Sequence, residues 1–135
     1  MSDFNQQIID EFRANDGTVS TAGFGDRLVL VHHFGAKSGT ERIAPLMAIP
    51  QPDGSRLIAA SAGGGPKDPA WYHNLLARPD VTIETPEGTV DVHAAEVPGP
   101  EHAEAWKQFT DASPGFADYE KKSGRTIPVI RLSPR

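Results

Sequence analysis

The chain has 135 residues, of which 38% are hydrophobic and 23% are charged, a composition that suits one modest folded domain. Its 18 acidic and 13 basic residues give a formal net charge of −5, which argues against binding to nucleic acid. The absence of cysteine excludes disulfide bonds, cysteine-based metal sites and a thiol nucleophile. The longest aliphatic run, Leu28-Val29-Leu30-Val31, is far too short to cross a membrane, so we expect a cytoplasmic protein.

Short apolar runs separated by 13 glycines and 12 prolines predict a β-rich fold with many short strands. Residues 3–15 instead carry apolar side chains at helical spacing and predict an amphipathic helix. This helix needs a partner surface, which is the rest of the chain, a partner chain or the periphery of a membrane. Strands are predicted at residues 27–34, 42–49, 56–61, 81–85, 89–95 and 127–132. The first two strands form a hairpin, and the third follows them in meander order.

Two further helices are predicted between the strands. One is capped by Asp68, has Pro69 in its first helical position and Trp71 on its apolar face, and ends near Arg78. The other covers residues 100–112. Because strands and helices do not alternate, the predicted fold is mainly β with short flanking helices (α+β), in the form of a small antiparallel barrel. We expect the whole chain, residues 1–135, to form a single domain.

The common phosphate and metal motifs are absent. The loop Gly63-Gly64-Gly65-Pro66-Lys67 lacks the Gly-Lys-Ser/Thr ending of a P-loop. Leu28 stands where a dinucleotide fingerprint begun at Gly23 and Gly25 would need its third glycine. None of the five histidines lies three or four residues from another, so the sequence predicts no metal site.

Basic residues, serines and glycines nevertheless occur together in two predicted turns of this acidic chain. They are Lys37, Ser38, Gly39 and Arg42 around the predicted hairpin turn, and Ser61 and Lys67 around the glycine loop. Turn amides together with cationic side chains form the kind of anion site that a phosphorylated cofactor needs. The alternative is that the hairpin turn is an ordinary surface turn.

Aromatic residues follow both loops. Trp71 comes shortly after the glycine loop, and Phe116 and Tyr119 lie within residues 114–119. Together they suit the walls of an apolar slot for a flat ring system, although each of them alone also suits the core.

Three blocks of the sequence resemble the deazaflavin-dependent nitroreductase family of actinobacteria. They are residues 35–46, residues 61–75, and residues 114–119 with 125–129. The blocks stand in the order and spacing of the family and cover nearly the whole chain. The resemblance implies a split antiparallel β-barrel like that of FMN-binding proteins. It also implies coenzyme F-420, an 8-hydroxy-5-deazaflavin, as the cofactor where related enzymes use FMN.

The resemblance implies a role for each matching residue. Lys37, Ser38 and Arg42 match residues that bind the phosphate and the oligoglutamate tail of the cofactor. The positions that match residues near the deazaflavin ring or the acceptor are Pro45, Ser61, Gly63, Gly64 and Trp71. Tyr119 matches a tyrosine that helps close the substrate pocket. We expect the proton to come from Tyr119, Ser61 or water, and Tyr119 is the preferred side chain.

The chain departs from the family pattern at four pocket positions. The nitroreductase that gives the family its name has tyrosine in place of Met47, Ser113 and Phe116, and lysine in place of Ala62. Lost hydroxyl groups change which acceptor a pocket positions, so nitroimidazole activation is not expected to carry over.

The resemblance implies an F-420-dependent oxidoreductase that transfers hydride to a small-molecule acceptor, namely a quinone, an activated enone or a nitroaromatic compound. Two alternatives are an FMN-dependent reductase of the same fold and a non-enzymatic carrier of the cofactor or of an apolar ligand. Both a monomer and a homodimer are compatible with the sequence.

Overall fold

The computed structural model describes residues 2–15, 17–19, 28–60, 69–112, 118, 121–122 and 127–135. The helices are α1 (Ser2–Ala14), α2 (Ala70–Ala77) and α3 (Gly99–Ala112). The strands are β1 (Leu28–Phe34), β2 (Glu41–Met47), β3 (Ile49–Pro50), β4 (Arg56–Ala59), β5 (Asp80–Thr85), β6 (Gly88–Glu96) and β7 (Val129–Pro134). In the part of the chain that the structure describes, all strands belong to one antiparallel sheet in the order β2-β1-β5-β6-β7-β4-β3.

One stretch of chain supplies both edges of this sheet and thereby closes it. β2 pairs with β1, and after Ala48 the chain pairs as β3 with β4 at the opposite edge. The prediction of one strand over 42–49 is therefore wrong at Ala48, because a straight strand cannot follow both edges of a curled sheet. The predicted meander holds only for the short β3–β4 hairpin, since β4 pairs mainly with β7.

The predicted β1–β2 hairpin is confirmed, with His33 opposite Arg42 and Phe34 opposite Glu41. The start of α2 differs from the prediction. Pro69 is the N-cap residue, with φ −68° and ψ 156°, and not the first helical residue. The proline ring restricts φ but leaves ψ extended here, so the helix begins one residue later, at Ala70. Asp68, the predicted cap, lies outside the described residues.

The alternation of side chains along the strands divides the core into a barrel interior and two outer layers. Ile58 faces the interior together with Trp71 and Leu75 from α2. Its neighbour Leu57 faces the other way and packs with Phe109 from α3. A helix therefore covers the outside of β4 and β7, while α2 completes the interior core.

α1 packs on the outer face of β1. Its residues Ile8, Ile9 and Phe12 are buried against Leu28 and Leu30. Of the three partner surfaces that the sequence leaves open for this helix, the structure shows the barrel. No helix among the described residues is both long and apolar enough to cross a membrane.

A charged network ties α1 to the barrel. The Arg13 guanidinium donates two hydrogen bonds to Glu84 on β5, at 3.1 and 2.7 Å. His32 on β1 contacts the same carboxylate at 2.7 Å. The hydrogen bond from Arg13, with that from His32, holds the pKa of Glu84 below its ordinary value of 4.5 against the opposing effect of burial. The charged form of Glu84 is therefore favoured by folding.

We expect Glu84→Gln to lower the free energy of unfolding at pH 7 by about 1–2 kcal/mol. A carboxylate with a depressed pKa contributes stability above its unfolded pKa, and this contribution is lost as pH falls through the folded pKa. The stabilities of the variant and of the wild type should therefore converge as pH falls through the folded pKa of Glu84, which lies below 4.5. Urea denaturation across this pH range measures the difference. Glu104→Gln, which changes an exposed carboxylate on α3, is the control, and equal stability of the Glu84 variant at every pH would contradict the network.

Candidate functional site

The turn between β1 and β2, residues 35–40, holds three of the predicted anion-binding residues, namely Lys37, Ser38 and Gly39. The Gly35 N–H donates to the Thr40 carbonyl at 2.9 Å, and the Gly39 N–H donates to the Gly35 carbonyl at 2.8 Å. Gly39 has a φ of +72°, in the left-handed region that favours glycine. The turn thus depends on glycine at this position and presents Lys37 and Ser38 at its tip.

Two neighbouring backbone N–H groups lie at this tip between amides that are hydrogen-bonded. The Ala36 N–H donates to Asn74 Oδ1 at 3.0 Å, and the Thr40 N–H donates to Ser38 Oγ at 3.2 Å. Within the described part of the chain, the amides of Lys37 and Ser38 have no hydrogen-bond partner. Consecutive amides that precede a left-handed glycine form a small concave site for an anion.

Three cationic side chains surround the turn. Lys37 and Arg42 are exposed, and Arg42 follows directly at the start of β2. The guanidinium of Arg78 lies 3.7 Å from the position that a Cβ atom on Gly39 would occupy. None of these three cations forms an ion pair with another described residue. All three are therefore available to bind an anion.

Arg78 is the site residue that sequence reasoning missed. The sequence predicts it only as the end of α2, and it is indeed the C-cap residue of that helix. The packing of α2 against β1 brings it to a turn that lies some 40 residues earlier in the chain. The local sequence shows only that Arg78 is a basic residue at the end of the helix that carries Trp71. Because basic residues are common at helix C-termini, this position alone does not indicate an anion-binding residue.

A cavity of about 430 Å³ opens beside the turn. It is lined by Phe34, Arg78, Pro79 and Asp80. Arg78 borders both this cavity and the turn, so an anionic ligand longer than a phosphate has space to extend from one to the other. Arg78 attracts an anionic group to this cavity, whereas the carboxylate of Asp80, which contacts His93 at 2.7 Å, adds a negative charge to its lining.

Buried polar groups support the turn from below. The side chain of Asn74 on α2 is only 8% exposed, and its Nδ2 lies 3.0 Å from Nδ1 of His33, which is 5% exposed. Burial, assisted by the electrostatic effects of Arg42 and His32, holds the pKa of His33 below its ordinary value of 6.5. The neutral form of this ring is therefore favoured.

The other predicted site residues divide into two groups. Pro45 lies on β2 opposite Leu30 and is partly buried, and Trp71 is buried in the interior core. The predicted residues that lie outside the described part of the chain are Ser61, Gly63, Gly64, Lys67 and Tyr119, with the pocket positions Ala62, Ser113 and Phe116. Met47, the remaining departure from the family pattern, packs against the core under α1. The structure thus brings Lys37, Ser38, Gly39 and Arg42 together, while the role of each stays a prediction.

The described half of the site fits a phosphorylated cofactor better than a metal. It offers unpaired amides and three cations, which attract anions and repel metal ions. Among the described residues, no group of three or more His, Asp or Glu side chains is arranged to hold a metal ion.

Comparison with known proteins places the chain in a family. The family described as F420H(2)-dependent quinone reductase, in which F420 denotes coenzyme F-420, matches residues 5–134. An F420H(2)-dependent quinone reductase of Mycobacterium tuberculosis is 36% identical over 110 residues, which are 79% of this chain and 73% of the relative. A second relative from the same bacterium is 35% identical over 107 residues, which are 79% of this chain and 89% of that relative.

Solved structures give the same result. An F420-H2 dependent reductase, FDR-A, has a TM-score of 0.71 and 38% identity and covers 79% of this chain and 94% of its own. A domain-swapped dimer has a TM-score of 0.74 and 34% identity and covers 98% of each chain. The heme storage protein HutZ of Vibrio cholerae, at 16% identity and a TM-score of 0.58, shares the fold alone. The family resemblance and the split antiparallel β-barrel predicted from the sequence are therefore confirmed, and the chain belongs to the F420H(2)-dependent quinone reductase family.

Proposed function

We propose that this protein is an oxidoreductase that reduces a quinone with hydride from reduced coenzyme F-420. Membership of the F420H(2)-dependent quinone reductase family supports both the cofactor and the acceptor class. The structural observation that carries the proposal is the 35–40 turn, where two amides that have no partner among the described residues lie near three cationic side chains. When bound, coenzyme F-420 supplies the hydride chemistry, and the protein contributes binding, orientation and a proton.

The three cations near the turn bind different anionic groups of the cofactor in this proposal. We assign the phosphate to the amides of Lys37 and Ser38 and to the side chains of Lys37 and Arg42. Arg78 stands between the turn and the neighbouring cavity, so we assign it to the acidic tail. Charge-assisted hydrogen bonds of this kind are roughly twice as strong as neutral ones.

A titration distinguishes this proposal from the FMN alternative. FMN carries a phosphate but no acidic tail, so it leaves one cation of the turn without a partner. We expect coenzyme F-420 to bind with a Kd of about 1 μM or lower and FMN to bind at least about tenfold more weakly. Fluorescence titration of the purified protein with each cofactor measures both constants. Tighter binding of FMN would overturn the assignment of the cofactor.

Reduction of a quinone to a hydroquinone takes up one hydride and one proton. We assign the proton to the hydroxyl of Tyr119, with Ser61 as the second candidate, because these residues match the pocket positions of the family. Both lie outside the described residues, so the assignment rests on the sequence.

Tyr119→Phe should lower the rate of quinone reduction by about tenfold if the hydroxyl only orients the acceptor, and by 10²–10⁴-fold if it delivers the proton. The affinity for coenzyme F-420 should change much less, because the hydroxyl is expected away from the phosphate. Steady-state oxidation of the reduced cofactor with menadione measures the rate. Tyr72→Phe removes the other tyrosine hydroxyl, which donates to Glu96, and is the matched control. Equal rates for the wild type and both variants would remove Tyr119 from the mechanism. If the wild type also showed no turnover of the quinone, the carrier alternative would be favoured.

We further propose that the protein forms a homodimer, as the related domain-swapped dimer does. The apolar residues Ile8, Ile9 and Phe12 of α1 are already buried against the barrel. Peripheral membrane contact through this helix is therefore not part of the proposal. Light scattering on the full chain measures the mass in solution, and a monomer at micromolar concentration would contradict the dimer.

A further inference from the structure

Asn74 connects the cofactor turn to a buried histidine, and the orientation of its amide can be deduced. A backbone N–H can only donate, so the Asn74 atom that faces the Ala36 N–H at 3.0 Å must be the oxygen. Nδ2 of Asn74 therefore faces Nδ1 of His33 at 3.0 Å, and because an amide NH₂ group can only donate, Nδ1 must accept. It follows that His33 is neutral and carries its proton on Nε2.

We propose that Asn74 and His33 are positioning residues that hold the cofactor turn in its binding shape, and that they do so only while His33 is neutral. This inference rests on the proposed function in assigning the turn to coenzyme F-420. Ala36 immediately precedes the amides of Lys37 and Ser38, so its hydrogen bond to Asn74 anchors the backbone at the start of this pair. Asn74 also accepts the Arg78 N–H on its backbone carbonyl at 2.9 Å. Asn74 thus contacts the turn through its side chain and the backbone of Arg78 through its carbonyl.

Protonation of His33 breaks this arrangement. It puts a proton on Nδ1, which then faces the NH₂ group of Asn74. A flip of the Asn74 amide removes that conflict but turns its NH₂ group toward the Ala36 N–H. Either orientation leaves two donors facing each other in a buried place.

The charges around His33 do not compensate for its protonation. Among the described residues, the charged and titratable groups that act on it are Arg42 from β2 and His32 from its own strand, and both disfavour the protonated ring. From α2 the group in contact with it is the neutral Asn74. The turn is therefore held at neutral pH, and its support is lost as pH falls through the pKa of His33, below 6.5.

The first test needs no cofactor. Nitrogen-15 NMR of the histidine rings at neutral pH should show His33 as the neutral tautomer with its proton on Nε2. Asn74→Asp offers a carboxylate that accepts both from the Ala36 N–H and from a protonated His33, so it should raise the pKa of His33 by about 1 or more. Asn74→Leu should speed hydrogen exchange of the Ala36 amide about tenfold or more. His73→Asn changes the exposed neighbour on the same helix and should alter neither property.

The second test measures the cofactor. In the wild type, the Kd for coenzyme F-420 should rise about tenfold as pH falls from about 7 through the pKa of His33, with little change in kcat. Asn74→Asp should abolish this acid loss of affinity, whereas His73→Asn should keep it. A proton on Nδ1 of His33 at neutral pH, or an unchanged acid loss in Asn74→Asp, would overturn the inference. Absence of F-420 binding at every pH would overturn the proposed function instead, while the NMR result would still decide how the turn is held.

Discussion

Replacing Lys37 or Arg42 with alanine is expected to weaken the binding of coenzyme F-420 by about 1–3 kcal/mol, or roughly 5- to 150-fold in Kd. Each substitution removes a cation next to the unpaired amides of the 35–40 turn and leaves the anion with fewer charge-assisted hydrogen bonds. Both side chains are exposed, so the free energy of unfolding should change by less than about 0.5 kcal/mol. Isothermal titration calorimetry and urea denaturation measure the two quantities.

A matched control separates the site from the general charge of the protein. Lys107→Ala removes an exposed lysine on α3 that pairs with Asp111, and it should leave the affinity for the cofactor unchanged. If Lys37→Ala and Arg42→Ala behaved like this control, the turn would be an ordinary surface turn. The double variant should lose more affinity than either single one, although neighbouring charges need not add.

Phe12→Ala is expected to lower the free energy of unfolding by about 3–5 kcal/mol, the usual range for removing a buried phenylalanine. The Phe12 side chain is 4% exposed and packs with Ile8, Leu28 and Leu30 between α1 and β1. Its loss leaves a cavity in the layer that attaches the helix to the barrel. Denaturant unfolding followed by circular dichroism measures the change.

Leu76→Ala is the control for this stability prediction. Leu76 lies on α2 with 45% of its surface exposed, so its truncation should cost less than about 0.5 kcal/mol. A loss below about 1 kcal/mol for Phe12→Ala would mean that α1 rests on the barrel without stabilising it. The helix would then be available to another surface, as the sequence alone leaves open.

Local sequence patterns predicted most of the helices and strands and the part of the site that lies in the 35–40 turn. The β-branched and aromatic residues within 27–34, the apolar run within 42–49 and the turn between them predict the β1–β2 hairpin, because strand propensity and turn chemistry are properties of neighbouring residues. The same turn places Lys37 and Arg42 together, since five residues of chain hold them close. The split barrel itself was predicted only through the family resemblance, which carries information about packing that periodicity does not.

Only the tertiary structure shows the strand pairings and side-chain contacts between residues that are far apart in the sequence. Whether residues 42–49 form one strand depends on which edge of the sheet each part joins, and the break at Ala48 follows from closure of the barrel. Arg78 and Asn74 reach the turn only because α2 packs against β1. A single sequence specifies the spacing within an element, whereas the contacts between elements are selected by burial and hydrogen bonding across the whole fold, and these long-range contacts complete the site.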